Sequence, residues 1–269
     1  MIRELKPVSP PGVPARAGAI RVWSSDLFDK DGRLVHAMSM HGINLSLSSG
    51  GRRVRAVENR RALCRSLELP FAELTVAQQV HGCEVVPVDG SLAGSGRESS
   101  TDAVAHVDGL FTRRPLSPLL GLTADCPILV LFDPEAPAVG IAHAGWRGTL
   151  AGIATRLAQA MTTGFGSRPA GLLAAVSPSA GPCCYEVRED VLRIAHTRWD
   201  DAERYVRREA GRAYLDLWSA NVGQLNAFGV PPERIDVAGI CTICDRRFCS
   251  YRRDGRATRH AGVIAAVVP

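Results

Sequence analysis

Residues 123–148 read TADCPILVLFDPEAPAVGIAHAGWRG, and this stretch decides how the chain folds. It contains two continuous apolar runs, at 128–132 and 138–142, separated by the polar, proline-containing residues 133–137. Because each proline fixes φ and removes a backbone donor, the intervening residues predict a turn. Two short apolar runs joined by such a turn predict a β-hairpin.

The predicted hairpin brings a thiol and an imidazole together at its open end. If Phe132 pairs with about Ala138, Cys126 lies within about one residue of His143, with Cβ atoms ~5 Å apart. A single cysteine or histidine in an apolar strand is usually a packing residue. The convergence of both with Asp125, and with His81 further upstream, instead favours an active site.

The end of the same stretch, Gly145-Trp146-Arg147-Gly148, precedes a predicted helix at 149–161. Glycines beside an arginine at the start of a helix offer backbone N–H groups and a fixed positive charge to an anion. Arg147 is therefore predicted to contact an anion.

The composition is that of an ordinary globular protein. The chain has 269 residues, 46% hydrophobic and 22% charged, with a formal net charge of +5. No apolar run approaches the ~20 residues needed to span a bilayer, so no membrane partner is expected. The first residues lack the pattern of a secretory signal, which predicts a cytoplasmic location. The arginines accompany no nucleic-acid-binding motif, so nucleic acid is not an expected partner.

The eight cysteines are expected to be thiols or metal ligands rather than a disulfide framework. Cys241, Cys244 and Cys249 are closely spaced, but three thiols without a fourth make an incomplete structural zinc set. The adjacent Cys183 and Cys184 are predicted to be packing residues at the start of a helix.

The domain organisation follows from the distribution of prolines and of apolar periodicity. Residues 1–19 are rich in proline and predict a flexible N-terminal arm, whereas 20–269 predict a single domain without a linker. Helices are predicted at 54–67 and from 214, and a strand at 74–80 that delivers His81. The irregular alternation of strands and helices predicts mixed sheets covered by helices on their outer faces.

Several short motifs occur together and in a fixed order. They are Gln79-Val80-His81-Gly82, Thr123-Ala124-Asp125-Cys126-Pro127, His143-Ala144-Gly145-Trp146-Arg147-Gly148, Gly181-Pro182-Cys183-Cys184-Tyr185-Glu186-Val187, Cys241-Thr242 and Ser250-Tyr251-Arg252-Arg253. With these motifs the chain resembles the YfiH family, also named multicopper polyphenol oxidase or laccase-domain proteins. The resemblance runs from about Ile20 to the C-terminus.

The resemblance implies an α+β fold, a four-layer α/β/β/α sandwich with mixed β-sheets of the CNF/YfiH-like type. It also implies a metal site on His81, Cys126 and His143 that holds zinc or copper. The implied activity is that of a purine nucleoside phosphorylase that also deaminates adenosine and cleaves methylthioadenosine. Other activities implied for the family are peptidoglycan editing, which removes serine from a UDP-muramyl precursor, and copper-dependent oxidation of polyphenols.

The residue types agree with a metal site. Two imidazoles and one thiolate are the type and number of ligands found in catalytic zinc sites, which keep a fourth position open. A laccase needs several copper centres and more ligands than the seven histidines of this chain readily supply.

The partners expected from this assignment are a nucleoside and phosphate, bound by a monomer or a homodimer. Asn44 and Arg60 are further candidates for substrate or phosphate contacts. Asp125 is expected to act as a base, to orient His143 or simply to cap a turn.

Two alternatives stay open. In one, Cys126 is a nucleophile with His81 or His143 as its base, and the protein is a hydrolase of a muropeptide amide. In the other, the protein is a non-enzymatic metal-binding adaptor.

Overall fold

The hairpin at the centre of the chain forms as predicted in the computed structural model, which describes residues 1–5, 20–47, 53–255 and 260–269. Its register differs by one residue from the prediction, because Phe132 pairs with Val139 and His143 pairs with Ile128. The carboxylate of Asp133 accepts hydrogen bonds from the backbone of the following turn, which closes the hairpin at this residue. Cys126 therefore lies two residues beyond the partner of His143.

The strands and helices alternate irregularly along the chain. In chain order the strands are β1 (Ile2–Leu5), β2 (Ile20–Trp23), β3 (Leu34–Ser39), β4 (Thr75–Val76), β5 (Val85–Pro87), β6 (Gly109–Thr112), β7 (Leu119–Thr123), β8 (Ile128–Asp133), β9 (Ala138–His143), β10 (Leu173–Val176), β11 (Glu186–Val187), β12 (Val206–Glu209), β13 (Arg212–Leu215), β14 (Ile235–Val237) and β15 (Ala261–Val267). The helices are α1 (Arg53–Ser66), α2 (Trp146–Leu150), α3 (Ile153–Phe165), α4 (Glu189–Arg198), α5 (Leu217–Phe228) and α6 (Tyr251–Asp254).

Two large mixed sheets form the centre of the fold. The first has the strand order β1-β2-β3-β15-β7-β4, and the second has the order β14-β10-β8-β9-β6-β5. Most neighbours are antiparallel, but β4 with β7, β5 with β6 and β10 with β14 are parallel. A small third sheet has the order β11-β13-β12. The predicted α+β class with mixed sheets is confirmed.

The buried side chains sort into layers. On β8, Ile128 and Val130 face the first sheet, whereas Leu129 and Leu131 pack against α3 and α5, as the two-residue period of a strand requires. The outer face of the first sheet packs against Leu63 of α1. The core clusters thus follow the predicted order of helix, sheet, sheet and helix.

Three predicted elements differ from the structure. The helix predicted at 149–161 is two helices, α2 and α3, with Gly152 between them. The residues from Arg212 form β13, and the next helix begins only after Asp216, whose side chain accepts a hydrogen bond from the N–H of Ser219. The predicted strand at 74–80 is limited to Thr75–Val76.

The ends of the chain also correct the prediction. Residues 2–5 form β1 and pair with β2, so a flexible arm is wrong for these residues. Residues 6–19 lie outside the described part of the chain. Within that part, no helix combines the length and the apolar character needed to cross a membrane.

Candidate active site

His81, Cys126 and His143 meet at one end of the second sheet, as predicted. One possible ligand atom from each lies within 4.8 Å of the others, and the two imidazole rings are 4.8 Å apart between centroids. His143 ends β9 and is buried, Cys126 precedes β8 and is half-buried, and His81 is exposed. The cluster therefore has one side open to solvent.

Asp108, which the sequence did not single out, fixes the orientation of His143. The ring nitrogen Nδ1 of His143 lies 2.9 Å from Oδ1 of Asp108, and the backbone N–H of His143 donates to the carbonyl oxygen of Asp108 at 2.8 Å. Because Nδ1 is engaged with a carboxylate, Nε2 is left as the nitrogen for a ligand or a substrate. A carboxylate behind a histidine is the usual outer support of a metal-binding imidazole.

The same carboxylate holds the backbone around His81. It accepts hydrogen bonds from the N–H groups of Val80, His81 and Gly82 at 3.1, 3.0 and 2.7 Å. His81 has a φ of 61°, a left-handed conformation that a non-glycine residue adopts only where its surroundings fix it. Asp108 therefore positions both histidines of the cluster.

The loop before His81 is held by a side chain instead of by the predicted strand. The amide group of Gln79 donates to the carbonyl oxygen of Leu122 and accepts from its N–H, at 2.8 and 2.7 Å. This pair of bonds replaces the backbone ladder of a longer β4. The backbone N–H groups of Gln78 and Gln79 also donate, to the carbonyl oxygens of Val104 and Val107, so the loop that leads to His81 is held on both sides.

Two glycines let the loops approach each other closely. A Cβ at Gly145 would lie 3.1 Å from Sγ of Cys126 and 3.2 Å from the ring of His81. A Cβ at Gly148 would lie 2.6 Å from the carbonyl oxygen of Gly82. The space beside the three candidate ligands therefore depends on glycine at positions 145 and 148.

The charges of the cluster stabilise one another. Burial opposes ionisation of Cys126, but the charge and hydrogen bonds of His143, together with those of His81, lower the pKa of the thiol to about 6. Burial also opposes protonation of His143, but the Cys126 thiolate and Asp108 raise its pKa to about 9. The pKa of Asp108 is lowered, since hydrogen bonds from His143 and Gly82 outweigh its burial. Without a metal, Cys126 and His143 form an ion pair near neutral pH.

This donor set fits a zinc-type ion. It supplies a thiolate and two imidazoles, the carboxylate behind His143 is present, and Gly145 carries no side chain that would fill the neighbouring space. Three protein ligands with an open side are the arrangement of a catalytic rather than a structural site.

Asp125 does not orient His143, and its side chain makes the loop hydrogen bonds expected of a residue that caps a turn. Its carboxylate accepts hydrogen bonds from Oγ1 of Thr242 and from the N–H of Arg252, both at 2.7 Å. Its carbonyl oxygen accepts from the N–H of Ala180 at 2.7 Å. Asp125 thus ties together the loops around Cys126, and the orienting carboxylate is that of Asp108.

Arg60 and Asn44 also have structural roles in place of the predicted substrate contacts. Arg60 is 1% exposed, and its guanidinium donates to the carbonyl oxygens of Leu45 and Gly96. Asn44 is buried, donates to the carbonyl oxygen of Ser46 and accepts from the N–H of His260. Neither side chain is available to phosphate at the surface.

The side chain of Arg147 is exposed, and this residue follows His143 by four positions in the chain. Its guanidinium lies over the ring of Trp146, 4.2 Å from the centroid. Contact with phosphate remains a prediction for this residue.

Tyr185 and Arg252 complete the surroundings of Cys126. The Tyr185 ring is buried beneath the Arg252 guanidinium at 4.7 Å. Burial and the nearby charge of Cys126 raise the pKa of Tyr185 to about 12, so its phenol keeps its proton at neutral pH. Both residues lie within the sequence motifs, but nothing in their spacing indicated this contact.

A separate depression is lined by Met1, Trp23, Leu27, Glu233 and Val237, among others. It contains none of the candidate ligands. The histidine–cysteine cluster is therefore the better candidate for the active site.

A second cluster consists only of cysteines. Cys183, Cys184, Cys241 and Cys244 come together, and their sulfur atoms lie within 4.8 Å of one another. The prediction that Cys183 and Cys184 pack at a helix start is wrong, because they lie in a turn before β11, and Cys183 is exposed. Cys249 is not part of this cluster and is buried in the core between the large sheets.

Several known proteins are similar to this chain in sequence and in fold. Residues 28–267 match the sequence model of the family described as multi-copper polyphenol oxidoreductase laccase. Purine nucleoside phosphorylase YlmD of Geobacillus stearothermophilus is 37% identical over 219 residues, which cover 80% of each chain. Adenosine deaminase RL5, from an unknown prokaryotic organism, is 32% identical over 241 residues, covering 88% of this chain and 89% of that relative. The crystal structure of YlmD from G. stearothermophilus is similar with a TM-score of 0.84 at 33% identity, covering 91% of this chain and 94% of that one.

Proposed function

This chain belongs to the family described as multi-copper polyphenol oxidoreductase laccase and is similar to the proteins YfiH and YlmD, and we propose that it is a metal-dependent purine nucleoside phosphorylase. The same site is proposed to deaminate adenosine and to cleave methylthioadenosine. The observation that carries the proposal is the open cluster of His81, Cys126 and His143, supported from behind by Asp108. Relatives that carry the names of a phosphorylase and of an adenosine deaminase support the choice of substrate.

His81, Cys126 and His143 would hold the metal, and zinc is the ion that their chemistry favours. When bound, such an ion supplies a Lewis acid at the open side of the cluster. Asp108 keeps Nδ1 of His143 occupied, so Nε2 faces the reacting side in a fixed orientation.

In phosphorolysis, a phosphate oxygen forms a bond to C1′ of the ribose while the bond from C1′ to the purine breaks. Arg147 is proposed to bind the phosphate, with help from the backbone N–H groups of residues 145–148. The purine leaves with the electron pair of the broken bond and needs a proton or a hydrogen bond. The protonated phenol of Tyr185, near Cys126, is a candidate donor.

Deamination of adenosine uses water rather than phosphate as the attacking group. It therefore needs the histidine–cysteine cluster, but it does not need a phosphate contact at Arg147. This difference separates the two reactions experimentally.

One observation favours a second candidate function, a cysteine hydrolase of a muropeptide amide. The arrangement is that of a nucleophile (Cys126), a base beside it (His143) and a carboxylate that orients the base (Asp108). The pKa of the Cys126 thiol is lowered to about 6. A metal bound to the thiolate would blunt this nucleophile. The metal content of the purified protein therefore weighs directly on this alternative.

A multicopper oxidase mechanism has less support from the residues. Across the described ranges 1–5, 20–47, 53–255 and 260–269, the only candidate metal cluster that contains histidine is the one at His81 and His143. Coupled copper centres need more imidazoles in one place than this cluster offers.

The proposal is tested by incubating the purified protein with adenosine or inosine, with and without phosphate. Adenine, hypoxanthine, inosine and ribose 1-phosphate are then quantified separately. We expect base release to require phosphate and to yield ribose 1-phosphate, and formation of inosine from adenosine to proceed without phosphate. His81→Ala should abolish both reactions. Negligible base release alongside rapid hydrolysis of a serine-containing muramyl precursor would instead support the cysteine hydrolase.

A further inference from the structure

We propose that Cys183, Cys184, Cys241 and Cys244 form a second metal site, a closed tetrathiolate site for a zinc-type ion. The site is separate from the histidine–cysteine cluster and has a structural role. Its four sulfur atoms are contributed by two loops that are 60 residues apart in the chain.

The sulfur positions fit tetrahedral coordination. Sγ of Cys244 lies 3.7 Å from Sγ of Cys183 and 3.2 Å from Sγ of Cys184. Zinc–sulfur bonds of ~2.3 Å in a tetrahedron place neighbouring sulfurs about 3.8 Å apart. The four sulfurs are all within 4.8 Å of one another, so a small movement closes the shell around one ion.

A disulfide does not explain the cluster. No disulfide joins Cys183, Cys184, Cys241 or Cys244 in the structure, and even the 3.2 Å separation of two of their sulfur atoms greatly exceeds the ~2.05 Å of a sulfur–sulfur bond. Soft thiolate ligands without imidazole or carboxylate select zinc over magnesium or calcium.

The backbone prepares the sulfur of Cys241 to bind a cation. The N–H of Gly181 donates to it at 3.3 Å, and the N–H groups of Ile243 and Cys244 also donate to it. Cys241 and Cys244 have the Cys-x-x-Cys spacing of zinc-binding turns. Such N–H donors orient a ligand and offset the negative charge of thiolates.

The two loops are already joined without the metal. The N–H of Ser179 donates to the carbonyl oxygen of Ile240, and the N–H of Thr242 donates to that of Ser179, at 3.1 and 3.0 Å. Arg207 holds the other side, since its guanidinium donates to the carbonyl oxygens of Pro182 and Cys183. The sulfur atoms are therefore placed by a built framework.

The four protein ligands leave no open position, which is the arrangement of a structural site. A metal in this site would also affect the active site. Ala180 and Thr242 lie close to the two cysteine pairs in the chain, and both donate hydrogen bonds to Asp125. Asp125 precedes Cys126. A metal in the tetrathiolate site would therefore stabilise the loops that support the active-site thiolate.

The test is the metal content of the purified full chain and of matched variants, measured by elemental analysis. The chain should hold about two zinc-type ions, given the two donor sets. Cys184→Ser and Cys244→Ser should each lose about one ion, whereas Cys83→Ser, outside both clusters, should lose none. His143→Ala should keep the ion of the tetrathiolate site, because it changes only the other cluster.

A second measurement covers the case in which the cysteine variants fail to fold. Cobalt(II) bound to the His143→Ala chain should give the intense sulfur-to-metal charge-transfer absorption of a thiolate site. Absence of that absorption, unchanged metal content in both cysteine variants, or a Cys184–Cys244 disulfide found by mass spectrometry of anaerobically purified protein would each overturn the proposal.

Discussion

The imidazole of His143 is held 2.9 Å from the carboxylate of Asp108, which also accepts the backbone N–H of His81. One acidic side chain thus sets the ring of one histidine and the backbone of the other. Because it does not reach the ligand position itself, Asp108 is a positioning residue.

Replacing Asp108 by Asn should weaken metal binding without removing a ligand. Loss of an outer carboxylate costs about 10- to 100-fold in metal affinity. Titration with a competing chelator measures this loss, with Asp102→Asn, at an exposed position, as the control. Unchanged affinity in Asp108→Asn would show that the carboxylate does not support the site.

Metal at the active site should depend on Cys126 and His143. Cys126→Ser and His143→Ala should each lower the zinc content by about one ion per chain, because two ligands hold a catalytic-type ion poorly. Elemental analysis after dialysis gives the content. Full retention of metal in both variants would exclude this three-ligand site.

Alkylation of Cys126 in metal-free protein should report its lowered pKa. Since the pKa falls from 9.0 to about 6, the rate should rise between pH 5 and 7 and then level off, whereas an ordinary thiol continues to gain reactivity up to about pH 9. Peptide mass mapping resolves Cys126 from Cys64, whose pKa burial raises to about 12. Zinc should protect Cys126, and a rate that keeps rising above pH 8 would contradict the ion pair with His143.

Adding a methyl group at Gly145 should fill the space beside the three candidate metal ligands. The new Cβ would lie 3.1 Å from Sγ of Cys126, tighter than an ordinary contact, so Gly145→Ala should reduce both metal affinity and turnover. Gly32→Ala, where a Cβ meets nothing within 4 Å, is the matched control. Equal metal affinity in the two variants would mean that the loop can move aside.

Arg147→Ala should raise the phosphate concentration needed for base release. A charge-assisted contact is worth ~1.5 kcal/mol or more, so the KM for phosphate should rise about 10-fold or more, while deamination of adenosine continues. Arg65→Ala, on the exposed side of α1, serves as the control. A parallel loss of both reactions would assign Arg147 to folding or to nucleoside binding instead.

The buried His36 should make the protein less stable in acid. Burial lowers its pKa from 6.5 to about 4, and its Nε2 accepts the N–H of Ser25 at 2.6 Å. Between pH 4 and pH 6.5, His36 is therefore protonated in the unfolded chain but not in the folded chain. The contribution of neutral His36 to the free energy of unfolding is full above pH 6.5 and is lost as the pH falls towards 4.

The contribution of neutral His36 to the free energy of unfolding is on the order of 3 kcal/mol at most. Denaturant unfolding at several pH values measures it. His36→Gln should flatten the dependence on pH in this window, and His41→Gln, at an exposed histidine, should not. Identical slopes in the two variants would refute the assignment to His36.

The local pattern of the sequence predicted the central hairpin and the approach of Cys126 to His143, and the family motifs added His81 to them. The apolar period of β8 and β9 predicted the pairing, with a register error of one residue. Asp108 could not be found in this way, since an Asp-Gly pair before a strand resembles a turn. Its role depends on the pairing of β6 with β9, which brings it to His143, and on the parallel pairing of β5 with β6, and both are long-range contacts.

The predicted roles of Arg60 and of the cysteine pairs are wrong because a local sequence pattern does not show which side chains are buried or brought together. Arg60 lies in an arginine-rich helix that resembles a solvated face, yet its guanidinium is enclosed by carbonyl oxygens. The cysteine pairs at 183–184 and 241–244 are far apart in the sequence, and only the folded chain brings them together.

The bonds of Asp125 have a consequence for biosynthesis. Its carboxylate is satisfied by Thr242 and Arg252, 117 and 127 residues further along the chain. During translation, a nascent chain has already exposed Cys126 while both of these partners are still unmade. The site can therefore mature only after residue 252 has been made, and a chain truncated before residue 242 would carry the thiol without the residues that support its loop.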